Sequence, residues 1–72
     1  MNKNNFCRHL RENHCRLYRQ GANHEIWRNT LNNRWSTVPR HRELKRNLCV
    51  KICKDLGIPS PFLMQKNQKN NT

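Results

Sequence analysis

The sequence predicts a small α+β domain in the order α-β-β-β-α, in which two helices cover one face of a three-stranded antiparallel sheet. Apolar residues recur at helical spacing near both ends, and short alternating runs between turn residues occupy the middle. A chain of 72 residues, of which only 33% are hydrophobic, supports one thin core. We place a single domain at residues 1–58 and a flexible, basic, polar tail at residues 59–72.

Both helices have clear local signals. The first is predicted to begin at Asn4 or Asn5, either of which can act as an N-cap, and to end at about residue 13. The second is predicted over residues 45–56, where leucine and isoleucine repeat every four positions. Gly57 is expected to adopt the left-handed conformation that ends this helix.

Three strands are predicted between the helices, at residues 15–19, 24–29 and 34–38. Gly21 supplies the first turn, and residues 30–33 supply the second because asparagine tolerates positive φ. Both tryptophans of the chain are predicted to be core residues rather than platforms for nucleic-acid bases, since other large side chains are few.

Alternation along the middle strand predicts two faces of mixed polarity. One face contains His24, Ile26 and Arg28, and the other contains Glu25 and Trp27. Because each face carries both polar and apolar side chains, the sequence leaves open which of them meets the helices.

The four cysteines are predicted to be free thiols that act as small buried hydrophobic residues. No apolar signal region occurs in the first residues, so we expect the reducing cytoplasm, where disulfides are rare. The cysteine spacing does not give the two matched pairs of a zinc knuckle. We therefore expect no metal, although a zinc-stabilised interaction domain is an alternative.

Net charge restricts the choice of partners. Fifteen Lys and Arg residues oppose four Asp and Glu residues, which gives a formal net charge of +11. Such a surface attracts polyanions. No apolar stretch approaches the ~20 residues needed to cross a bilayer, and no long basic amphipathic helix is present. RNA or an acidic protein is therefore the expected partner, and no membrane is involved.

The predicted layout is that of a double-stranded-RNA-binding domain, which recognises RNA by shape and phosphate contacts. The segments RLYRQGANHEIW, STVPRHREL and ICKDLGIP, in this order and spacing, resemble HicA-type toxins, the small RNA-cleaving halves of bacterial toxin–antitoxin pairs. The resemblance covers residues 6–59. It implies an mRNA interferase, an endoribonuclease that cleaves mRNA independently of translation, and a HicB-type antitoxin that covers the active face.

The resemblance also implies site residues. The family's catalytic histidine, which follows a Gly-rich turn, corresponds to His24, and the VPxH-like element corresponds to residues 38–41. Guanidinium groups suit the phosphate because they are permanently charged and match its geometry. The residues expected to bind RNA are Arg19, Asn23, Arg28, Arg40, His41 and Lys45.

An imidazole suits RNA cleavage because the ribose 2′-hydroxyl can attack its own phosphate, which leaves the protein a proton to move and charge to stabilise. The carboxylates are scattered along the sequence, so a two-metal nuclease is not expected and no cofactor is implied. The antitoxin is expected to present an acidic surface to the face that binds RNA, and oligomers are expected only within the antitoxin complex.

Two positions depart from the family pattern. Ala22 stands where relatives usually carry glycine, and positive φ there would strain the turn by about 1 kcal/mol. His14 also stands where many relatives carry glycine, but histidine tolerates the left-handed region better than most residues. A degenerate toxin that binds RNA without cleaving it is therefore the main alternative function.

Overall fold

A computed structural model describes residues 1–62 and shows the predicted α-β-β-β-α order. The sheet has three antiparallel strands in the order β1-β2-β3, as in double-stranded-RNA-binding domains. The predicted fold class is thereby confirmed. The elements are α1 (Lys3–Glu12), β1 (Cys15–Gln20), β2 (His24–Asn29), β3 (Trp35–Pro39) and α2 (Arg46–Leu56).

Helix α1 begins earlier than predicted because Asn2, not Asn4 or Asn5, is its N-cap. The Asn2 side chain accepts hydrogen bonds from the backbone N–H of Asn4 at 2.8 Å and of Asn5 at 3.3 Å. Asn2 also forms an isolated β-bridge with Glu43, which fixes the extended backbone that an N-cap requires. This pairing joins residues far apart in the chain, so the local sequence could not reveal it.

Helix α2 ends at Gly57, which has φ 72° and confirms the predicted left-handed cap. The last carbonyl group of the helix, that of Leu56, accepts hydrogen bonds from the end of β2 and from the β2–β3 turn. The Asn29 and Asn32 side chains both donate to the Leu56 carbonyl, at 2.9 and 3.1 Å. The turn is therefore docked on the end of α2, and one helix terminus fixes the position of two strands.

The core lies between the two helices and one face of the sheet. Strand β2 contributes Trp27 at the centre of that face, with 3% of its surface exposed. The buried hydrophobic residues are Phe6, Cys7, Leu10, Cys15, Trp27, Val38, Leu44, Cys49, Ile52, Cys53 and Leu56.

All four cysteines are free and buried, as predicted. Burial raises the pKa of every one of these thiols. For Cys53, burial together with the proximity of Cys49 and Cys15 raises the pKa to about 12. The thiols therefore stay protonated at neutral pH and pack as small hydrophobic side chains.

Packing continues past residue 58, where the predicted domain ends. Ser60 is buried, and the half-buried ring of Phe62 packs against the core. The Arg46 guanidinium lies 4.8 Å from the Phe62 ring centroid, which ties this segment to the start of α2. Residues 63–72, on which most of the predicted flexible tail falls, lie outside the described residues.

Replacing Gly57 with alanine should destabilise the fold by about 1–2 kcal/mol. Alanine at this position would be held in the left-handed backbone conformation, which is unfavourable for it, and its Cβ would lie 2.8 Å from Asn32 Nδ2. Urea unfolding measures the loss. Gly57→Asn should lose less than Gly57→Ala, because asparagine tolerates positive φ. Equal stability of wild type and Gly57→Ala would contradict this account of the cap.

Candidate functional site

The outer face of the three-stranded sheet is not covered by either helix. Alternate residues of the central strand, β2, point to this face. Glu25, Trp27 and Asn29 point towards the helices and are buried. His24 therefore points outward and is exposed, as the first residue of the central strand. We call this uncovered surface the open face.

The β1–β2 turn that precedes His24 is closed by backbone and side-chain hydrogen bonds. The Gly21 N–H donates to the His24 carbonyl at 2.8 Å, and the Arg40 N–H donates to the Asn23 carbonyl at 3.1 Å. Arg40 Nη1 also donates to the Gly21 carbonyl at 2.9 Å. Arg40, predicted as an RNA ligand, thus holds the turn that carries His24.

Ala22 does not occupy the left-handed region. Within residues 1–62, the non-glycine residues with positive φ are His14, at 72°, and Asn33, at 64°. The expected strain at Ala22 is therefore absent, and the substitution of glycine by alanine costs the turn nothing in backbone energy. His14 does adopt the left-handed conformation, which histidine tolerates.

His24 and Arg19 line the same depression on the open face, which has a volume of about 320 Å³. Arg19 lies on β1 opposite Ile26, next to His24 on the same face of β2. Thr37 of β3 and Gly21 complete the lining. The structure thus brings an imidazole and a guanidinium together around a space open to solvent.

A second depression on the open face, of about 330 Å³, lies further along β2 and shares Ile26 with the first. Arg28 lies between Tyr18 and Trp35 there, because β1 and β3 flank β2. Arg28 Nη2 donates to Asn33 Oδ1 at 2.9 Å, and its guanidinium carbon lies 5.6 Å from the Tyr18 ring centroid. Both contacts hold the guanidinium in one position.

Sequence reasoning missed two aromatic residues of the open face. Trp27 is buried as predicted, but the core prediction for Trp35 is wrong, because 60% of its surface is exposed. Ser36 and Val38 face the helices, so alternation along β3 puts Trp35 outside. Tyr18, which is 62% exposed, lies in a β-bulge between Leu17 and Arg19 for which the sequence has no signal.

The remaining predicted RNA ligands lie elsewhere. His41 and Arg40 line a separate depression of about 400 Å³ beside Asn2 and Lys3, at the start of α1. Lys45 is the residue that precedes α2. His41 and Lys45 therefore do not line the depression that contains His24.

Behind His24, the buried carboxylate of Glu25 joins three elements. It accepts hydrogen bonds from Lys3 Nζ at 2.7 Å and from Trp27 Nε1 at 3.0 Å, and Arg40 Nε lies 3.9 Å away. Burial alone would raise the pKa of Glu25, but the bonds from Lys3 and Trp27 and the nearby charges outweigh it, so the pKa lies below its usual value. The carboxylate is ionised and fully engaged at neutral pH.

Metal ligands do not converge in the part of the chain that the structure describes. Residues 1–62 contain no group of three or more His, Cys, Asp or Glu side chains able to hold an ion. No helix within the same residues is long and apolar enough to cross a bilayer.

Comparison with protein families identifies the chain. The family model for the HicA toxin of bacterial toxin–antitoxin systems matches residues 4–58. The chain belongs to the HicA toxin family. The matched residues include all five elements apart from the first residue of α1. As a HicA toxin it is one half of a toxin–antitoxin system, whose other half is a cognate antitoxin.

Other comparisons add no relative of known structure or curated description. The search of curated proteins gave no match, and neither did the search of solved structures. The functional residues of this HicA toxin are therefore argued from its own geometry.

Replacing Ala22 with glycine should not raise the stability of the HicA toxin. Because Ala22 has no positive φ to relieve, glycine only increases the entropy of the unfolded chain and should cost about 0.4–1 kcal/mol. Urea unfolding of the two proteins tests this. A higher stability of Ala22→Gly would show that the alanine strains the turn.

Replacing Glu25 with glutamine should destabilise the protein at neutral pH by about 1–3 kcal/mol, because the half-buried ammonium of Lys3 loses its partner. The wild-type contribution is present above the usual pKa of a glutamate, 4.5, and is lost as pH falls through the lowered pKa. Glu25→Gln should therefore show a shallower loss of stability on acidification, measured by urea unfolding across this range.

The matched control is Asp55→Asn. Asp55 also has a lowered pKa, chiefly through a hydrogen bond from Lys51, but its side chain is 40% exposed. Its removal should change stability little, because exposed ion pairs contribute little. Equal effects of the two substitutions would refute a special role for the buried carboxylate.

Proposed function

We propose that this HicA toxin is an endoribonuclease, an mRNA interferase that cleaves mRNA independently of translation, with His24 as its acid–base group and no metal ion. The observation that carries the proposal is the exposed imidazole of His24 at the start of β2, in one depression with Arg19. The hydrogen bonds of Arg40 to the preceding turn support it, since a catalytic group needs a fixed position.

The chemistry requires few groups. The ribose 2′-oxygen attacks the adjacent phosphorus, and the bond from phosphorus to the 5′-oxygen breaks, which leaves a 2′,3′-cyclic phosphate and a 5′-hydroxyl. His24 either accepts the 2′-hydroxyl proton or donates a proton to the departing 5′-oxygen, and water exchanges the other proton. Arg19 stabilises the charge on the phosphate oxygens.

The charge distribution favours a polyanionic substrate on the open face. The arginines of this face are Arg16 and Arg19 of β1 and Arg28 of β2. Glu25 lies on the opposite, helix-covered face of the sheet, where it pairs with Lys3. The other acidic residues belong to α1, to α2 and to the segment before α2, so none opposes RNA on the open face.

The cognate antitoxin, in this proposal, is a HicB-type protein with an acidic surface. One positively charged face attracts both RNA and an acidic protein, so the antitoxin inhibits by occupying the position of RNA. Asn23, His41 and Lys45 extend the basic and polar surface beyond the His24 depression. The toxin acts in the cytoplasm and forms oligomers only through the antitoxin complex.

His24→Ala should lower the cleavage rate of a defined single-stranded RNA by about 10²–10⁴-fold, because it removes the acid–base group. Binding should change little, since the arginines remain. Cleavage is followed by gel electrophoresis with EDTA present throughout, and binding is measured with a strand whose 2′-hydroxyls are methylated. Circular dichroism verifies the fold of each variant.

His14→Asn is the matched control, because it removes an exposed histidine outside the depression and asparagine tolerates its left-handed backbone. It should cleave like wild type. If wild type binds RNA without cleaving it, the protein is a non-catalytic RNA-binding member of the family. If EDTA abolishes cleavage, the metal-independent mechanism is wrong.

A further inference from the structure

The open face carries two large aromatic side chains that neither the core nor the proposed cleavage chemistry uses. Tyr18 is 62% exposed and Trp35 is 60% exposed, and both line the depression next to that of His24. Exposed aromatic side chains that share one depression, rather than being scattered, mark a binding surface. The two depressions share Ile26, so a ligand in one is adjacent to a ligand in the other.

We propose that Tyr18 and Trp35 form a stacking site for one unpaired base of single-stranded RNA, next to the phosphate that His24 addresses. The proposal deepens the proposed function by naming the form of the RNA, and it depends on RNA being the ligand. It also predicts that the toxin prefers unpaired RNA, although its fold is that of a double-stranded-RNA-binding domain.

Tyr18 and Trp35 lie on the two outer strands, which are separated at the backbone by two strand spacings, or roughly 10 Å. Arg28 of the central strand lies between them, and its guanidinium lies over the Tyr18 ring. An entering base therefore stacks on the exposed ring of Trp35, with Arg28 and Tyr18 beside it and the apolar side chain of Ile26 lining the same depression.

Arg28 supplies the charge that an aromatic pair lacks. In the strand register, Arg28 lies opposite Trp35 of β3 and opposite Arg16 of β1. Its guanidinium is held by Asn33 Oδ1 and by the Tyr18 ring, so it is ordered before a ligand arrives. A fixed guanidinium beside a stacking site can bind the phosphate of the same nucleotide at little entropic cost.

Single-stranded RNA fits this face better than a duplex does. In a duplex the faces of each base are covered by its neighbours, so a ring can reach only base edges or the backbone. Unpaired bases present their faces, and aromatic rings in a basic groove are the usual platform for them. Because the surrounding charged side chains are arginines, the depression also matches the charge of a nucleic-acid strand.

The test measures binding of a short 2′-O-methyl RNA strand that contains one 2-aminopurine, whose fluorescence is quenched by stacking. Wild type should bind the strand and quench the probe. Trp35→Leu and Tyr18→Ala should each raise the Kd about tenfold and reduce the quenching, whereas Tyr18→Phe should retain both because it keeps the ring. The same strand annealed to its complement should bind more weakly.

Leu31→Ala is the matched control, since Leu31 is 71% exposed on the β2–β3 turn, outside the depression. It should bind like wild type. Unchanged Kd and quenching in Trp35→Leu and Tyr18→Ala would overturn the proposal, as would tighter binding of the duplex. A loss of antitoxin binding without loss of RNA binding in these variants would assign the rings to the protein partner and also overturn it.

The two proposals fail separately. A wild type that binds and quenches the methylated strand but never cleaves unmodified RNA would refute the cleavage function and leave the stacking site intact. Cleavage that requires His24 while the aromatic variants bind normally would refute the stacking site alone.

Discussion

The carboxylate of Glu25 lies on the helix-covered face of the central strand, and Glu25 directly follows His24, whose imidazole is exposed. Three side chains from different elements, Lys3, Trp27 and Arg40, meet this carboxylate. A buried charge left without these partners would cost several kcal/mol, so the register of β2 is strongly determined. A shift by one residue would bury the imidazole and expose the ion pair.

Arg40 couples this buried cluster to the surface. Its Nε lies 3.9 Å from Glu25, and its Nη1 donates to the Gly21 carbonyl in the turn before His24. One guanidinium therefore contacts both the buried carboxylate and the turn. In the proposed mechanism Arg40 positions the histidine rather than binding the phosphate, which distinguishes it from Arg19 in the same predicted set.

Local signals were sufficient for the order of elements, for the Gly57 cap and for the exact span of β2. They failed where distant residues decide the outcome. The bridge between Asn2 and Glu43 moved the start of α1, and the bulge at Tyr18 depends on pairing with β2. Which face of β2 is buried was also undecidable locally, because the partners of Glu25 come from α1 and from the segment after β3.

The distribution of aromatic side chains supports the proposed binding role of the open face. The chain has only five aromatic residues, and two of them are more than half exposed on one face. Burying a large side chain contributes about 1.5–3 kcal/mol, a gain that a protein with so thin a core forgoes at both positions. The core is instead completed with small side chains, cysteines among them. Exposed aromatic rings that lower stability in this way are expected at a binding site, where a ligand covers the rings.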